Sequence, residues 1–82
     1  MKINIRKSVV KDLRKIQEDK RKIIHSKIKE LEKFPNLPNI KKLTNFEPAY
    51  RLRLGNFWIL FDVLGEYIII GRILHRKDSY KK

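Results

Sequence analysis

The 82-residue sequence has no cysteine, only three glycines and three prolines, and a single tryptophan. Without cysteine it can form neither a disulfide nor a thiolate metal site. Its carboxylates are few, nine Asp plus Glu, and they are scattered. None stand as a pair at metal-ligand spacing, and neither an HExxH motif nor a Cys/His ligand pair is present. The glycines are too few and too dispersed to build a phosphate-cradling loop, which excludes an NTPase or a dinucleotide enzyme. No metal and no cofactor are therefore expected. No apolar run reaches the ~18–20 residues of a membrane span, and the N-terminus lacks an apolar signal core. These absences predict a cytoplasmic protein without a membrane partner.

What the chain has in abundance is positive charge. Lys and Arg number 21, for a formal net charge of +12. The excess is spread out, with +3 in residues 1–7, +4 in residues 8–34 and +5 in residues 35–82. So basic a chain attracts a polyanion or an acidic protein, and nucleic acid or the ribosome is the favoured partner. A single lysine need do no more than solvate a helix face, so position must come from motifs. Residues 1–82 make one domain. A chain of this size buries roughly 60–65% of the surface its unfolded form exposes, enough for one thin core.

Taken in order, Lys2–Arg6 alternates, and Ile3 and Ile5 point one way as in a short strand. Ser8 is a candidate helix N-cap. Val9, Leu13 and Ile16 then follow at helical spacing. A second helix is expected from about Lys20 to Phe34, with Ile24, Ile28 and Leu31 as its stripe and Asp19 as a possible cap. The two stripes are out of phase across residues 17–23, which favours a helical hairpin over one long kinked helix. Pro35 and Pro38 end the helix. A connector spans residues 35–48, with Leu37, Ile40, Leu43 and Phe46 as candidate core anchors.

The last third organises the rest. Tyr50–Leu54 places Leu52 and Leu54 on one side of a strand, with Arg51 and Arg53 on the other. Gly55-Asn56 turns the chain. Phe57–Val63 is apolar at nearly every position, Leu64-Gly65-Glu66 turns again, and Tyr67–Leu74 forms a third strand. The expected fold is α+β: an N-terminal strand, a helical hairpin, then a three-stranded antiparallel meander. The helices should pack on one face of a twisted four-stranded sheet. The other face stays open and carries Arg51 and Arg53.

Beyond the third strand lie His75, Arg76, Lys77, Asp78 and Tyr80. If the strands pair as proposed, they come near Arg51 and Arg53. Such a set suits metal-free cleavage of RNA by its own 2′-hydroxyl. That reaction needs a proton acceptor, cations to hold developing negative charge, and a donor for the leaving 5′-oxygen. Histidine titrates near neutrality, so His75 is the candidate for proton transfer. Each residue also has a plainer reading. Arg51 and Arg53 would serve as a solvated strand edge, His75 as a strand-end histidine bonded to backbone, and Tyr80 as a packing anchor. Trp58 either packs under the connector or offers a stacking face to a base. Arg72 is expected to pair with Asp62 or Glu66, and Asp78 to pin Arg76 or cap the tail. His25 flanks the helix stripe and is expected to have a structural or solvent role.

The segments YRLRLGNFWILFDV and IIIGRILHRKDSY resemble the RelE/ParE superfamily of toxins, whose RelE-like branch shows a YRxRxGxYRxxF strand pair and a C-terminal HRxxxY segment. The motifs cover about residues 49–80, and the expected element order is also that family's. The resemblance implies a type II toxin that cuts mRNA in the ribosomal A site without metal. It also implies an antitoxin that wraps the toxin as a monomer within a hetero-oligomeric complex. By position, Arg51, Arg53, His75, Arg76 and Tyr80 match the catalytic set; Trp58, Arg72 and Lys77 are further candidates for RNA contact. Trp58 departs from the pattern, since many RelE-like members have arginine there. Two alternatives follow: a ParE-like, non-catalytic inhibitor of DNA gyrase, or a decayed member that binds RNA or antitoxin without cutting.

Overall fold

The structure, a computed structural model, describes residues 1–43 and 49–79, the last two by their backbone only. Strand β1 (Lys2–Ile5) leads into helices α1 (Lys7–Arg14) and α2 (Glu18–Glu30). A 3-10 turn at Leu31–Lys33 follows, then strands β2 (Ile40–Lys42), β3 (Tyr50–Leu54), β4 (Phe57–Leu64) and β5 (Tyr67–His75), and a short helix α3 (Arg76–Ser79). The helical hairpin is present, broken at residues 15–17 where the two apolar stripes lose phase. α2 begins at Glu18 with Gln17 at its N-cap, so Asp19 is not the cap. Glu18 and Asp19 instead place negative charge in the first turn, favourable to the helix dipole.

The sheet has five strands in the order β1-β5-β4-β3-β2, one more than expected. The extra strand is β2 in the connector, which pairs antiparallel with β3 and sets Lys41 opposite Arg51. Three residues with two lysines form a short charged edge, the kind that discourages pairing with other chains. β3, β4 and β5 make the expected antiparallel meander. β1 lies parallel to β5, with Ile3 opposite Ile68 and Ile5 opposite Ile70. The hairpin of helices is the crossover that a parallel pair needs.

One face of the sheet is covered. Val9 and Leu13 from α1, Ile24 and Ile28 from α2, and Leu31 meet Leu52, Ile59, Phe61, Ile68, Ile70 and Ile73. Phe61 is fully buried and stacks on Tyr50 with ring centroids 5.4 Å apart, while Phe34 meets both rings edge-on. Leu37 and Ile40 pack against this core as anchors; Phe46 lies outside the described residues.

Two irregularities decide which side chains reach the other face. The first is a bulge in β5: Leu60 pairs with Arg72, yet Phe61 pairs with Ile70, which leaves Gly71 as the extra residue. A bulge resets the alternation of a strand. Ile68 and Ile70 face the core before it, and Ile73 after it. The second concerns the edge of β5 beyond the end of β1. There α1 takes over from the missing strand. The Arg6 N–H donates to Ile70 O at 3.1 Å, the Ser8 hydroxyl donates to Gly71 O at 2.6 Å, and Asp12 Oδ2 accepts the Ile73 N–H at 2.9 Å. Ser8 is thus not an N-cap, since α1 starts at Lys7 behind Arg6. Four residues apart, Ser8 and Asp12 lie on one side of the helix and satisfy the strand edge that β1 leaves open.

Candidate active site

The open face of the sheet gathers cations. Arg51 and Arg53 project from β3 opposite in parity to buried Leu52. Their cross-strand partners on β4 are Leu60 and Trp58, and Trp58 in turn registers with Leu74 on β5. Side chains directly opposite one another share a face, so Arg51, Arg53, Trp58, Leu60 and Leu74 form one surface. Arg76 continues it past the end of β5. Its N–H donates to Asn56 O at 2.7 Å, which ties the start of α3 to the β3–β4 turn. Gly55 enables that turn with a φ of 57°, left-handed backbone that favours glycine. Arg51, Arg53, Trp58 and Arg76 together line a cavity of about 370 Å³.

Three arginines line the cavity. Among the described residues, neither Arg51 nor Arg53 has a carboxylate partner. Asp62 stands on the same face but is engaged, its Oδ1 accepting the Ala49 N–H at 2.6 Å. The Arg51 guanidinium lies over the Trp58 ring, 4.2 Å from its centroid. Lys41, paired in register with Arg51, adds a cation at the rim. Strand parity carries this signal, but only once β2 is recognised as a strand. Such a surface can hold phosphate oxygens and stabilise charge that develops on them.

Not all of the expected site residues arrive here. His75 registers with Phe57, a core-side residue, and meets its ring edge-on with centroids 5.2 Å apart. It therefore faces the helices, across the sheet from Arg51 and Arg53. Its Nδ1 accepts the Lys77 N–H at 3.1 Å, the backbone-bonded arrangement of a strand-end histidine. A second cavity, of about 690 Å³, lies on that side, lined by His75, Phe57, Lys15, Lys20 and Arg72 among others. Arg72 pairs with neither Asp62 nor Glu66. Its Nε and Nη2 donate to the two oxygens of Asp12 at 2.8 and 3.1 Å. Donating to the Asp12 carboxylate raises the Arg72 pKa above its ordinary value, against the opposing effect of partial burial. Lys77 is exposed just beyond His75, and Tyr80 lies outside the described residues.

No group of His, Asp or Glu among the described residues could hold a metal ion. No helix among them is long and apolar enough to cross a membrane.

Comparison with known proteins adds to this geometry. The family described as the ParE toxin of type II toxin–antitoxin systems, parDE, matches residues 3–80. Toxin RelE3 of Methanocaldococcus jannaschii is 38% identical over 84 aligned residues, covering 98% of this chain and 96% of that protein. A crystal structure of the RelB-RelE antitoxin–toxin complex from Methanococcus jannaschii contains a chain that superposes with a TM-score of 0.80 at 39% identity, covering 94% of each chain. The isolated RelE toxin of E. coli shares the fold, with a TM-score of 0.72 at 14% identity, covering 98% of this chain and 95% of that one.

Proposed function

The chain belongs to the RelE/ParE superfamily of type II toxins, and from that premise we propose that it is an endoribonuclease that cuts mRNA in the ribosomal A site of the cytoplasm. A cognate antitoxin of acidic character would hold it inactive, as the pairing of RelB with RelE in the solved relative suggests. The carrying observation is the cavity that brings Arg51, Arg53 and Arg76 together on the open face of the sheet.

In the proposed reaction the 2′-hydroxyl attacks the adjacent phosphorus. The 2′-O–P bond forms as the 2′-hydroxyl gives up its proton to a base, the P–O5′ bond breaks as the leaving 5′-oxygen takes up a proton from an acid, and the products are a 2′,3′-cyclic phosphate and a free 5′-hydroxyl. Arg51, Arg53 and Arg76 hold the non-bridging oxygens and stabilise the charge that builds on them in the transition state. No metal is required by this scheme, because the guanidiniums supply the positive charge. Tyr80 is assigned to proton transfer from its place in the resemblance. His75, turned to the other face with Nδ1 bonded to the Lys77 N–H, is reassigned from proton acceptor to anchor of the turn that places Arg76. Arg72, held by Asp12, is not assigned an RNA contact.

The test is cell-free translation of a defined mRNA, with new 5′ ends mapped by primer extension. Codon-spaced cuts that appear only during translation, and vanish in Arg51→Ala, Arg53→Ala and Arg76→Ala, are the expected result. Cuts on naked RNA would keep the nuclease and remove the ribosome from the reading. An absence of cuts from folded, antitoxin-free protein, together with inhibition of gyrase supercoiling, would overturn it in favour of a ParE-like binding toxin.

A further inference from the structure

Trp58 is the one place where the motif has an aromatic ring in place of an expected cation, and the open face shows what the ring does. The Arg51 guanidinium lies over it at 4.2 Å, and both side chains line the cavity shared with Arg53 and Arg76. Leu74 is the registered neighbour of Trp58 on β5, while buried Ile59 sits next to Trp58 in sequence, on the core side of β4. The ring is half-buried in the sheet, so it forms a fixed platform. A guanidinium held over the ring by cation–π attraction interacts with the ring through its charge, which leaves the N–H donors of its planar fork for other acceptors. The contact therefore leaves the donors available to phosphate and removes most of the rotamer freedom that a phosphate contact would otherwise have to freeze.

We infer that Trp58 is a positioning residue, which holds the Arg51 guanidinium in a phosphate-ready orientation, rather than a stacking surface for a nucleobase. The inference rests on the phosphate-binding role proposed above for Arg51. In this reading the tryptophan replaces a second charge with order: the cavity has one arginine fewer than the motif implies, and the arginine beside the gap is fixed.

A binding experiment separates the two roles of the ring. The probes are two oligodeoxynucleotides of equal length, one of thymidines and one of abasic tetrahydrofuran residues, measured at one fixed ionic strength with the antitoxin-free chain. Neither carries a 2′-hydroxyl, so binding is read without cleavage. Trp58→Leu should weaken both probes by the same factor, about three- to tenfold for a partly desolvated cation–π contact. Arg51→Ala should weaken both at least as much, and adding Trp58→Leu to it should cost nothing further. Trp58→Phe should stay near wild type. Selective loss of the thymidine probe in Trp58→Leu would overturn the inference and make Trp58 a base platform. Loss in Arg51→Ala with none in Trp58→Leu would overturn it while leaving the phosphate role of Arg51 standing. No loss in Arg51→Ala would overturn both. Should Trp58→Leu fail to fold, Arg51→Lys decides. It keeps the charge but loses the planar guanidinium over the ring, and affinity near that of Arg51→Ala is expected; affinity near wild type would overturn the inference.

Discussion

Replacing Asp12 tests how α1 substitutes for a missing strand. The Asp12 carboxylate makes three contacts: Nε of Arg72 at 2.8 Å, Nη2 of Arg72 at 3.1 Å, and the Ile73 N–H at 2.9 Å. The obvious reading is that the ion pair dominates. Exposure argues otherwise. The Arg72 side chain is 48% exposed and that of Asp12 only 10%, so water competes for the guanidinium, and such a pair contributes only about 0.5–1 kcal/mol. The bond to the Ile73 N–H is different, because Ile73 is 3% exposed and no strand lies beyond it to replace the acceptor. A hydrogen bond to a carboxylate contributes about 1.5–3 kcal/mol, and an orphaned buried N–H carries a similar penalty. Asp12→Ala should then cost about 2–3 kcal/mol, whereas Arg72→Ala costs ~0.5–1 kcal/mol because Asp12 keeps its backbone partner. For a domain of this size that lowers Tm by roughly 10–20 °C in Asp12→Ala and by about 5 °C or less in Arg72→Ala. The assay is urea unfolding with a common m-value, supported by thermal melts. The pH dependence has a definite sign. The Arg72 pKa is raised in the folded state, so its contribution is complete below the ordinary arginine range and is lost only at strongly alkaline pH, as pH rises through the folded value. The deficit of Arg72→Ala should therefore be the same at pH 6 and pH 9. An Arg72→Ala variant as unstable as Asp12→Ala would refute the reasoning and return the ion pair to first place.

Other predictions follow from burial, backbone and the open face. Phe61→Ala removes a fully buried ring that stacks on Tyr50 and meets Phe34; a loss of about 3–5 kcal/mol is expected, enough to leave much of a small domain unfolded by circular dichroism at 37 °C. Gly65→Ala should cost about 1–2 kcal/mol, read in urea melts, because φ is 59° and the strain is conformational while the space for a Cβ is open. In the translation assay, Arg76→Ala should lower cleavage by about 100-fold in protein shown by circular dichroism to be folded. His75→Ala should lower it less than Arg76→Ala does, and a larger loss in His75→Ala would restore the histidine as the proton-transfer group.

Much of the fold was legible because apolar spacing changes period where the elements change. Val9 and Leu13 lie at helical intervals, Leu52 and Leu54 at strand intervals, and Gly55 and Gly65 stand where the strands reverse. The phase slip across residues 17–23 marked the helical hairpin. β2 was hidden, since Ile40–Lys42 offers one apolar residue and two lysines, too few for alternation to show. Its strand character comes from a neighbour, through the register of Ile40 with Leu52 and of Lys42 with Tyr50. Ser8 misled for a similar reason. A serine near a helix start suits an N-cap locally, but a β5 carbonyl far along the chain claims its hydroxyl.

The open-face position of Arg51 and Arg53 was legible on β3, whereas the way His75 faces at the end of β5 was not, and the bulge at Gly71 is the difference. β3 is regular, so parity read from Leu52 places Arg51 and Arg53 correctly on the open face. Counting an unbroken strand from buried Ile68 would put residues 72 and 74 toward the core and His75 on the open side with the arginines. The bulge at Gly71 adds one residue and inverts that count. Ile73 and His75 turn toward the helices and Leu74 turns outward beside Trp58, while Arg72, in register with Leu60, is drawn back to Asp12 of α1. A glycine inside an isoleucine-rich strand signals that a bulge is possible, but it does not say whether one forms. Here the bulge is stabilised from outside the strand, where the Ser8 hydroxyl bonds Gly71 O and Asp12 receives the Ile73 N–H. The placement of Arg76 in the cavity, and of His75 away from it, thus depends on two polar side chains of the first helix about sixty residues earlier in the chain. The residues that line the candidate site and the residues that decide which ones line it are not the same, and only the first group forms a motif.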